Sequence, residues 1–172
     1  MSARDSILAA IRAAAVPAAP PASLPPAQQT PVERDGLHDT FLRVLTDVGG
    51  QGVLQAVGQP MDVLLAELLG SVRQETSVVR GRFAVAENAA VYVDAADLSA
   101  RNDMVRAEHL VVIVPFGAIV PTMHEAMQSM PADSACGWFL SGPSKTADIE
   151  QSLVFGAQGS RTHHVIFGRG GT

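Results

Sequence analysis

The sequence predicts a single α/β domain whose mostly parallel sheet is covered by helices on both faces. Segments with helical spacing of apolar residues alternate with short apolar runs over about 135 residues, as in βαβ units. Of the 172 residues, 47% are apolar, which is enough for one core and excludes a chain that is disordered throughout. Parallel strands are buried on both faces, which suits the continuous apolar runs of this sequence.

The N-terminal segment is predicted to be a separate arm. Ile7, Leu8 and Ile11 have helical spacing, and six prolines then crowd into residues 17–31. Such a proline density is typical of a linker and not of a helix or a sheet. We therefore expect a helical arm at residues 1–16, a Pro-rich linker at 17–34 and the α/β domain at 35–172.

The first half of the domain is predicted to contain two helices and three strands. Gly49-Gly50 marks the end of the first helix, because glycine commonly follows a helix C-terminus. Glu87-Asn88 interrupts an apolar run and indicates a bend. The expected elements are a helix from Leu37 to Val48, a strand at 52–57, a helix at 61–72, and strands at 77–80 and 83–93.

The second half of the domain is predicted to alternate strands and helices in the same way. Pro121 stands near the first turn of a helix, where its missing N–H costs nothing. The expected elements are a strand at 110–114, a helix at 123–130, a strand ending at Phe139-Leu140, a helix at 146–157 and a strand at 162–167.

Charge and hydropathy argue against two classes of partner. Twelve basic residues against seventeen acidic ones give a net charge of -5, so no basic excess is present to neutralise nucleic acid or an anionic membrane. The most apolar run, residues 109–120, is interrupted by Pro115 and Gly117 and falls short of the roughly 20 residues of a spanning helix. We expect a cytoplasmic protein with no nucleic-acid or membrane partner, and the sequence leaves a homo-oligomer open.

The chain is expected to hold no metal and no cofactor of its own. Cys136 is its single cysteine, which excludes an internal disulfide and any site built from several thiolates of this chain. His163 and His164 are adjacent in a predicted strand, so their side chains point to opposite faces and cannot bind one metal ion. We expect one of them to be exposed and the other packed.

The turn at residues 141–146 is the predicted ligand-binding segment. It joins the end of a strand to the start of a predicted helix, and helix N-termini beyond the carboxyl ends of strands offer free amides and a positive dipole to anions. Simple helix capping is the alternative, because Asp148 and Glu150 already complement the dipole of that helix. The predicted ligand-binding residues are Ser141, Gly142, Ser144, Lys145, Thr146 and, from the facing bend, Asn88.

Two motifs resemble a known family. The sequence SGPSKTADIE at 141–150, with Gly156, Gly159-Ser160-Arg161 and His164-Val165-Ile166 after it, closely resembles the C-terminal signature of the LUD domain. The closest likeness is to its lactate-utilisation protein C (LutC/YkgG) group. The sequence FAVAEN at 83–88 resembles the central motif of the family, although many members continue with Thr-Gly-Thr where this chain has Asn88-Ala89-Ala90.

This resemblance covers roughly residues 35–168 and implies a NagB/RpiA/CoA-transferase-like α/β fold. It also implies a subunit of a system that oxidises L-lactate to pyruvate together with iron–sulfur-type partner proteins. With only Cys136 in the chain, such clusters would belong to the partners. The implied role is therefore non-redox binding of a small anionic ligand, of the partners, or of both.

Glu87 is the one candidate catalytic residue, and it leaves open whether the chain is an enzyme. In transferases of the resembling fold a glutamate accepts coenzyme A covalently, which makes a free-standing CoA-transferase- or isomerase-like enzyme for a thioester or phosphate ester the alternative function. Glu87 could equally hydrogen-bond nearby backbone at the bend. A scaffold that only contacts other proteins is a third alternative.

Overall fold

The computed structural model describes residues 2–14, 34–70, 75–98, 101–132, 134, 136–147 and 153–169. The chain divides into two compact units, Met1–Pro31 and Val32–Thr172. The first contains helix α1, Ala3–Ala13, which begins with a capping box between Ser2 and Asp5. No helix of the described ranges has the length and apolar character needed to cross a bilayer.

The second unit contains the remaining elements, in the following chain order. They are α2 (Leu37–Asp47), β1 (Gln51–Leu54), α3 (Met61–Leu69), β2 (Thr76–Arg80), β3 (Phe83–Val85), β4 (Ala90–Asp94), a 3₁₀ turn (Ala95–Asp97), α4 (Arg101–Arg106), β5 (His109–Pro115), β6 (Ile119–Val120), α5 (Met123–Gln128), β7 (Gly137–Leu140), β8 (Lys145–Ala147), β9 (Leu153–Phe155) and β10 (Thr162–Gly168).

A four-stranded parallel sheet forms the centre of this unit, with strand order β1-β10-β5-β2. Its interior strands are rich in valine and isoleucine, as expected for strands that are buried on both faces. Helix α2 packs through Phe41 and Leu45 on one face, and α3 packs through Leu64 on the other. The predicted α/β class, with helices on both faces of a mostly parallel sheet, is confirmed.

A second, mixed sheet has the order β6-β3-β4-β7 and packs on the α2 side of the parallel sheet. Strands β3 and β4 are antiparallel and are joined by a turn at residues 86–89, as the bend at Glu87-Asn88 predicted. Ala126 of α5 packs with Phe83 and Tyr92 on the outer face of this sheet. The turn at 86–89 is therefore held between a strand pair and the start of α5.

The predicted helix at 146–157 is wrong. Strands β8 and β9 form an antiparallel pair in which Lys145 lies opposite Phe155. The N–H of Ser144 donates to the carbonyl oxygen of Ser160 at 2.9 Å, and that of Gly156 donates to the carbonyl oxygen of Ser144 at 3.0 Å. These backbone groups are thus satisfied across the chain and not along a helix; residues 148–152 lie outside the described ranges.

The expectation that one of two adjacent histidines is exposed is also wrong. His163 is 1% exposed and His164 is 8% exposed. The physical reason is the position of β10, which lies between β1 and β5 in a sheet covered on both faces. An interior strand has no solvent-facing side on which a histidine could be exposed.

Candidate functional site

The turn between β3 and β4 carries Glu87 and Asn88 and is fixed by backbone hydrogen bonds. The N–H groups of Ala86 and Glu87 donate to the carbonyl oxygens of Val120 and Pro121 at 2.9 and 3.1 Å. Asn88 Oδ1 accepts the N–H of Ala90 at 3.1 Å, which closes an Asx turn. Both predicted residues are therefore rigidly positioned beside the start of α5.

The carboxylate of Glu87 caps the start of α5. Its Oε1 accepts the N–H of Met123 at 2.6 Å, while Thr122 Oγ1 accepts the N–H of Glu125 at 3.2 Å. Two amides at the beginning of α5 are thus satisfied by side chains. Glu87 is exposed and has this structural contact, and its catalytic role stays a prediction.

Ser141 reaches the same turn from the end of β7. Its hydroxyl donates to the carbonyl oxygen of Asn88 at 2.7 Å. The next residue, Gly142, has φ of +71°. A Cβ there would lie 2.9 Å from the carbonyl oxygen of Val48, so both the backbone conformation and the close approach to α2 require glycine.

The remaining predicted residues, Ser144, Lys145 and Thr146, lead away from this turn into β8. Lys145 is exposed, with Nζ 5.8 Å from the centroid of the Phe155 ring. A Cβ on Gly49 would lie 3.5 Å from the same Nζ, which places the only lysine just beyond the C-terminus of α2. Within the described ranges no hydrogen bond or ion pair joins Lys145 to Glu87 or Asn88.

This location removes the helix-based reason for an anion site at residues 141–146. The C-terminus of a helix carries a partial negative charge. Helix α2 has no basic residue in its own last turn, so Lys145 is the side chain that offsets this charge. The segment also contacts Ser160, which precedes β10, and so lies towards the amino ends of the parallel strands. Ligand binding by these residues stays a prediction.

The carboxyl ends of the parallel strands, where open α/β sheets bind ligands, surround a cavity of about 740 Å³. Its wall is mostly apolar, with two arginines and one aspartate among the lining residues. The lining consists of Val78, Val79, Arg80, Gly81, Arg82, Asp97, Ile113, Val114, Pro115 and Gly168. We name this space the carboxyl-end cavity.

The two arginines of the carboxyl-end cavity differ in their partners. Arg82 Nε donates to the carboxylate of Asp97. Asp94 also lies within reach of the Arg82 charge; its pKa is lowered chiefly by the hydrogen bond from the Ala96 N–H, then by one from Ser134, with Arg82 adding to the effect. Arg80 is exposed, and no ion pair to it is present in the part of the chain that the structure describes.

Sequence reasoning missed these arginines, although a signal was present. Arg80 is the last residue of the predicted strand at 77–80, and Arg82 follows it after Gly81, which places both arginines at a carboxyl end. The pairing of Arg82 with Asp97 is not visible in the sequence, because it depends on the fold.

Three histidines lie near the amino ends of β5 and β10. The Nδ1 of His109 hydrogen-bonds Thr162 Oγ1 at 2.8 Å, whereas His163 Nε2 and His164 Nδ1 are buried and have no hydrogen-bond partner among the residues that the structure describes. Burial lowers the pKa of His163 to about 4, with a smaller contribution from His164. Burial and the nearby His109 lower the pKa of His164 as well. Within the described residues, no three His, Cys, Asp or Glu side chains are grouped to hold a metal ion.

Comparison with known proteins gives three similarities. The family model of the LUD domain matches residues 72–167. Lactate utilization protein C 1 of Bacillus mycoides (strain KBAB4) is 36% identical in an alignment of 90 residues that covers 48% of this chain and 38% of that protein. The chain thus spans well under half the length of this relative.

The third similarity is structural. The crystal structure of a DUF162 family protein from Deinococcus radiodurans superposes with a TM-score of 0.53, at 16% identity, over 80% of this chain and 99% of that one. At this identity the likeness shows that the fold is shared.

Proposed function

The chain belongs to the LUD domain family, and on that premise we propose that it serves lactate utilisation as a subunit without a redox centre of its own. The observation that carries the proposal is the 36% identity with a protein named Lactate utilization protein C 1. Lactate oxidation releases two electrons, and this chain has one cysteine, too few to hold an iron–sulfur cluster by its own thiolates. Iron–sulfur-type partner proteins would receive those electrons.

The ligand of this proposal is a small anion of the lactate type, bound by Ser141, Gly142, Ser144, Lys145, Thr146 and Asn88. Two observations support this choice. Lys145 is exposed and carries no ion pair within the described ranges, so its ammonium group is free to meet a carboxylate. The hydroxyl of Ser141 donates to the carbonyl oxygen of Asn88 at 2.7 Å, which brings two of the six residues together.

A growth experiment tests the physiological part of the proposal. Deleting the gene in its native host should abolish growth on L-lactate as sole carbon source and leave growth on pyruvate unchanged. A plasmid that encodes the chain should restore growth, whereas the same plasmid with an early stop codon should not. Unchanged growth of the deletion strain on L-lactate would contradict a role in lactate utilisation.

A second experiment tests the partners. The tagged chain, expressed in the same host and isolated under anaerobic conditions, should co-purify with proteins that contain iron and absorb near 400 nm. The purified chain alone should contain no stoichiometric iron. Isolation of the chain without iron-containing proteins, from cells growing on L-lactate, would contradict the iron–sulfur partners.

A further inference from the structure

We propose that the carboxyl-end cavity binds an organic anion that has both a charged head group and an apolar portion. The head group is a carboxylate or a phosphate, and Arg80 is the residue that receives it. This site is separate from the residues assigned to lactate, so the proposal stands or falls independently of the role in lactate utilisation.

The backbone that carries the two arginines is held in place before any ligand arrives. The N–H of Gly81 donates to the carbonyl oxygen of Ile113, and the N–H of Arg82 donates to that of Tyr92, both at 2.8 Å. A Cβ on Gly81 would lie only 2.5 Å from Cγ1 of Val91, so the chain here runs directly against the core. A segment pinned between the two sheets presents its side chains at little conformational cost on binding.

The charges at the cavity are divided between a paired arginine and an unpaired one. Asp97, whose side chain is only 15% exposed, fixes Arg82 and offsets its charge. Arg80 ends β2, is exposed and has no carboxylate partner within the described ranges. Its planar guanidinium is therefore available for two parallel hydrogen bonds to a carboxylate or phosphate.

Apart from Arg80 and the Arg82–Asp97 pair, the lining of the cavity is apolar, and it is partly open to solvent. Val78 is 47% exposed, and it shares the lining with Ile113 and Pro115. The volume of about 740 Å³ is typical of small-molecule sites and exceeds what a three-carbon acid would fill. A ligand that satisfies both Arg80 and this surface combines an anionic group with a hydrocarbon or ring portion.

The net charge of the protein is negative, which isolates the contribution of Arg80 to anion binding. With a net charge of -5, the chain as a whole repels anions, so general electrostatic attraction does not favour anion binding. Anion binding at this cavity therefore depends on Arg80 itself, and removing that one charge is a decisive test.

Isothermal titration calorimetry of the full chain with octanoate, octyl phosphate and 1-octanol tests the proposal. At least one of the two eight-carbon anions should bind with a stoichiometry of one, and 1-octanol should bind about tenfold or more weaker. The tighter of octanoate and octyl phosphate identifies the head group. The Arg80→Gln variant should lose about tenfold in affinity for that anion.

Two further variants complete the test. Arg43→Gln removes an exposed arginine of α2, paired with Asp47 at 3.6 Å, and should bind the anion as the wild type does. Val78→Asp places a negative charge in the half-exposed lining and should abolish binding while the variant remains folded at the temperature of the titration, as its thermal unfolding curve checks. Absence of saturable binding, equal binding by Arg80→Gln, or equally tight binding of 1-octanol would overturn the proposal.

Discussion

The two ends of the parallel sheet treat polar side chains in opposite ways. At the carboxyl end, Arg80 and Arg82 stay charged at the rim of a cavity, and Arg82 is paired with Asp97. At the amino end, His163 and His164 lie inside the protein, and within the described ranges His163 Nε2 and His164 Nδ1 have no hydrogen-bond partner. One end thus displays charge at low cost, whereas the other excludes it, because a buried charge without a partner is strongly unfavourable.

This difference predicts how each end responds to a change of pH and to added side-chain volume. The amino end should be sensitive to protonation, since any proton on His163 is placed in an apolar interior. The carboxyl end should be insensitive to pH near neutrality but sensitive to added volume, since its backbone runs against the core at Gly81.

The largest expected effect is a loss of stability at acidic pH caused by His163. Its pKa is about 4 in the folded protein and 6.5 without perturbation, so between these values the unfolded chain binds a proton that the folded protein does not. The free energy of unfolding should therefore fall as the pH falls from about 6.5 to about 4, by roughly 3 kcal/mol from this residue. His164, whose pKa is also lowered, acts in the same direction.

Urea unfolding at a series of pH values checks this prediction. The His163→Leu variant should lose roughly 3 kcal/mol of the difference in stability between neutral and acidic pH, and His124→Gln, at an exposed position on α5, should retain the whole difference. Because carboxylates also titrate near pH 4, the quantity to compare is the difference between variant and wild type. Parallel stability curves for His163→Leu and the wild type would contradict the prediction.

The next effect concerns the packing of the carboxyl end. In Gly81→Ala the new Cβ would lie 2.5 Å from Val91 Cγ1 and 2.9 Å from Val114 Cγ2. Overpacking of this kind should lower the free energy of unfolding by about 2 kcal/mol. Gly117→Ala is the matched control, because no heavy atom lies within 4 Å of its Cβ position; equal stability of the two variants in urea unfolding would show that the core yields at Gly81.

Much of the fold could be predicted from local patterns. The strand at 110–114 and the helix from residue 37 could be predicted because their apolar residues recur with a regular period. That period reflects which side chains are buried, and burial determines the secondary structure of both segments. The predicted helix at 146–157 failed for the opposite reason. Ile149, Leu153 and Ala157 have helical spacing, but the observed conformation depends on backbone bonds to Ser160 and on the pairing of Lys145 with Phe155.

The candidate site was less predictable than the fold. Ser141 and Asn88 were expected at one place, and a hydrogen bond does join them across 53 residues of sequence. The location of Lys145 beside the C-terminus of α2 could not be predicted, because it follows from the β8–β9 pairing. Arg80 was not predicted as a site residue, because the predicted site rested on a helix N-terminus at residue 146, where the structure has strand β8.

Substitutions of Glu87 test whether the turn at residues 86–89 has a structural or a chemical role. Glu87→Ala removes the acceptor for the Met123 N–H and should cost about 1 kcal/mol of stability in urea unfolding. Glu87→Gln keeps an oxygen acceptor and should cost less than half as much. Equal stability of all three proteins would show that the hydrogen bond contributes nothing.

The wild type and Glu87→Gln also test the transferase alternative. Intact-mass spectrometry after incubation with acyl-coenzyme A should show no covalent adduct if Glu87 serves only as a cap. An adduct on the wild type that is absent from Glu87→Gln would instead establish a free-standing enzyme with Glu87 as its nucleophile.

The smallest expected effect belongs to Lys145, where stability and ligand binding separate two roles. If Lys145 mainly offsets the C-terminus of α2 and packs over Phe155, Lys145→Ala should cost about 0.5 kcal/mol, and the cost should shrink in high salt because the group is exposed. Lys145→Arg should retain most of that stability.

If Lys145 also binds lactate as proposed, calorimetry should show an affinity about tenfold weaker for Lys145→Ala. If Lys145→Ala loses stability and neither the wild type nor the two variants bind lactate, the role of Lys145 is structural. Lys145 would then make no ligand contact at the amino end of the sheet.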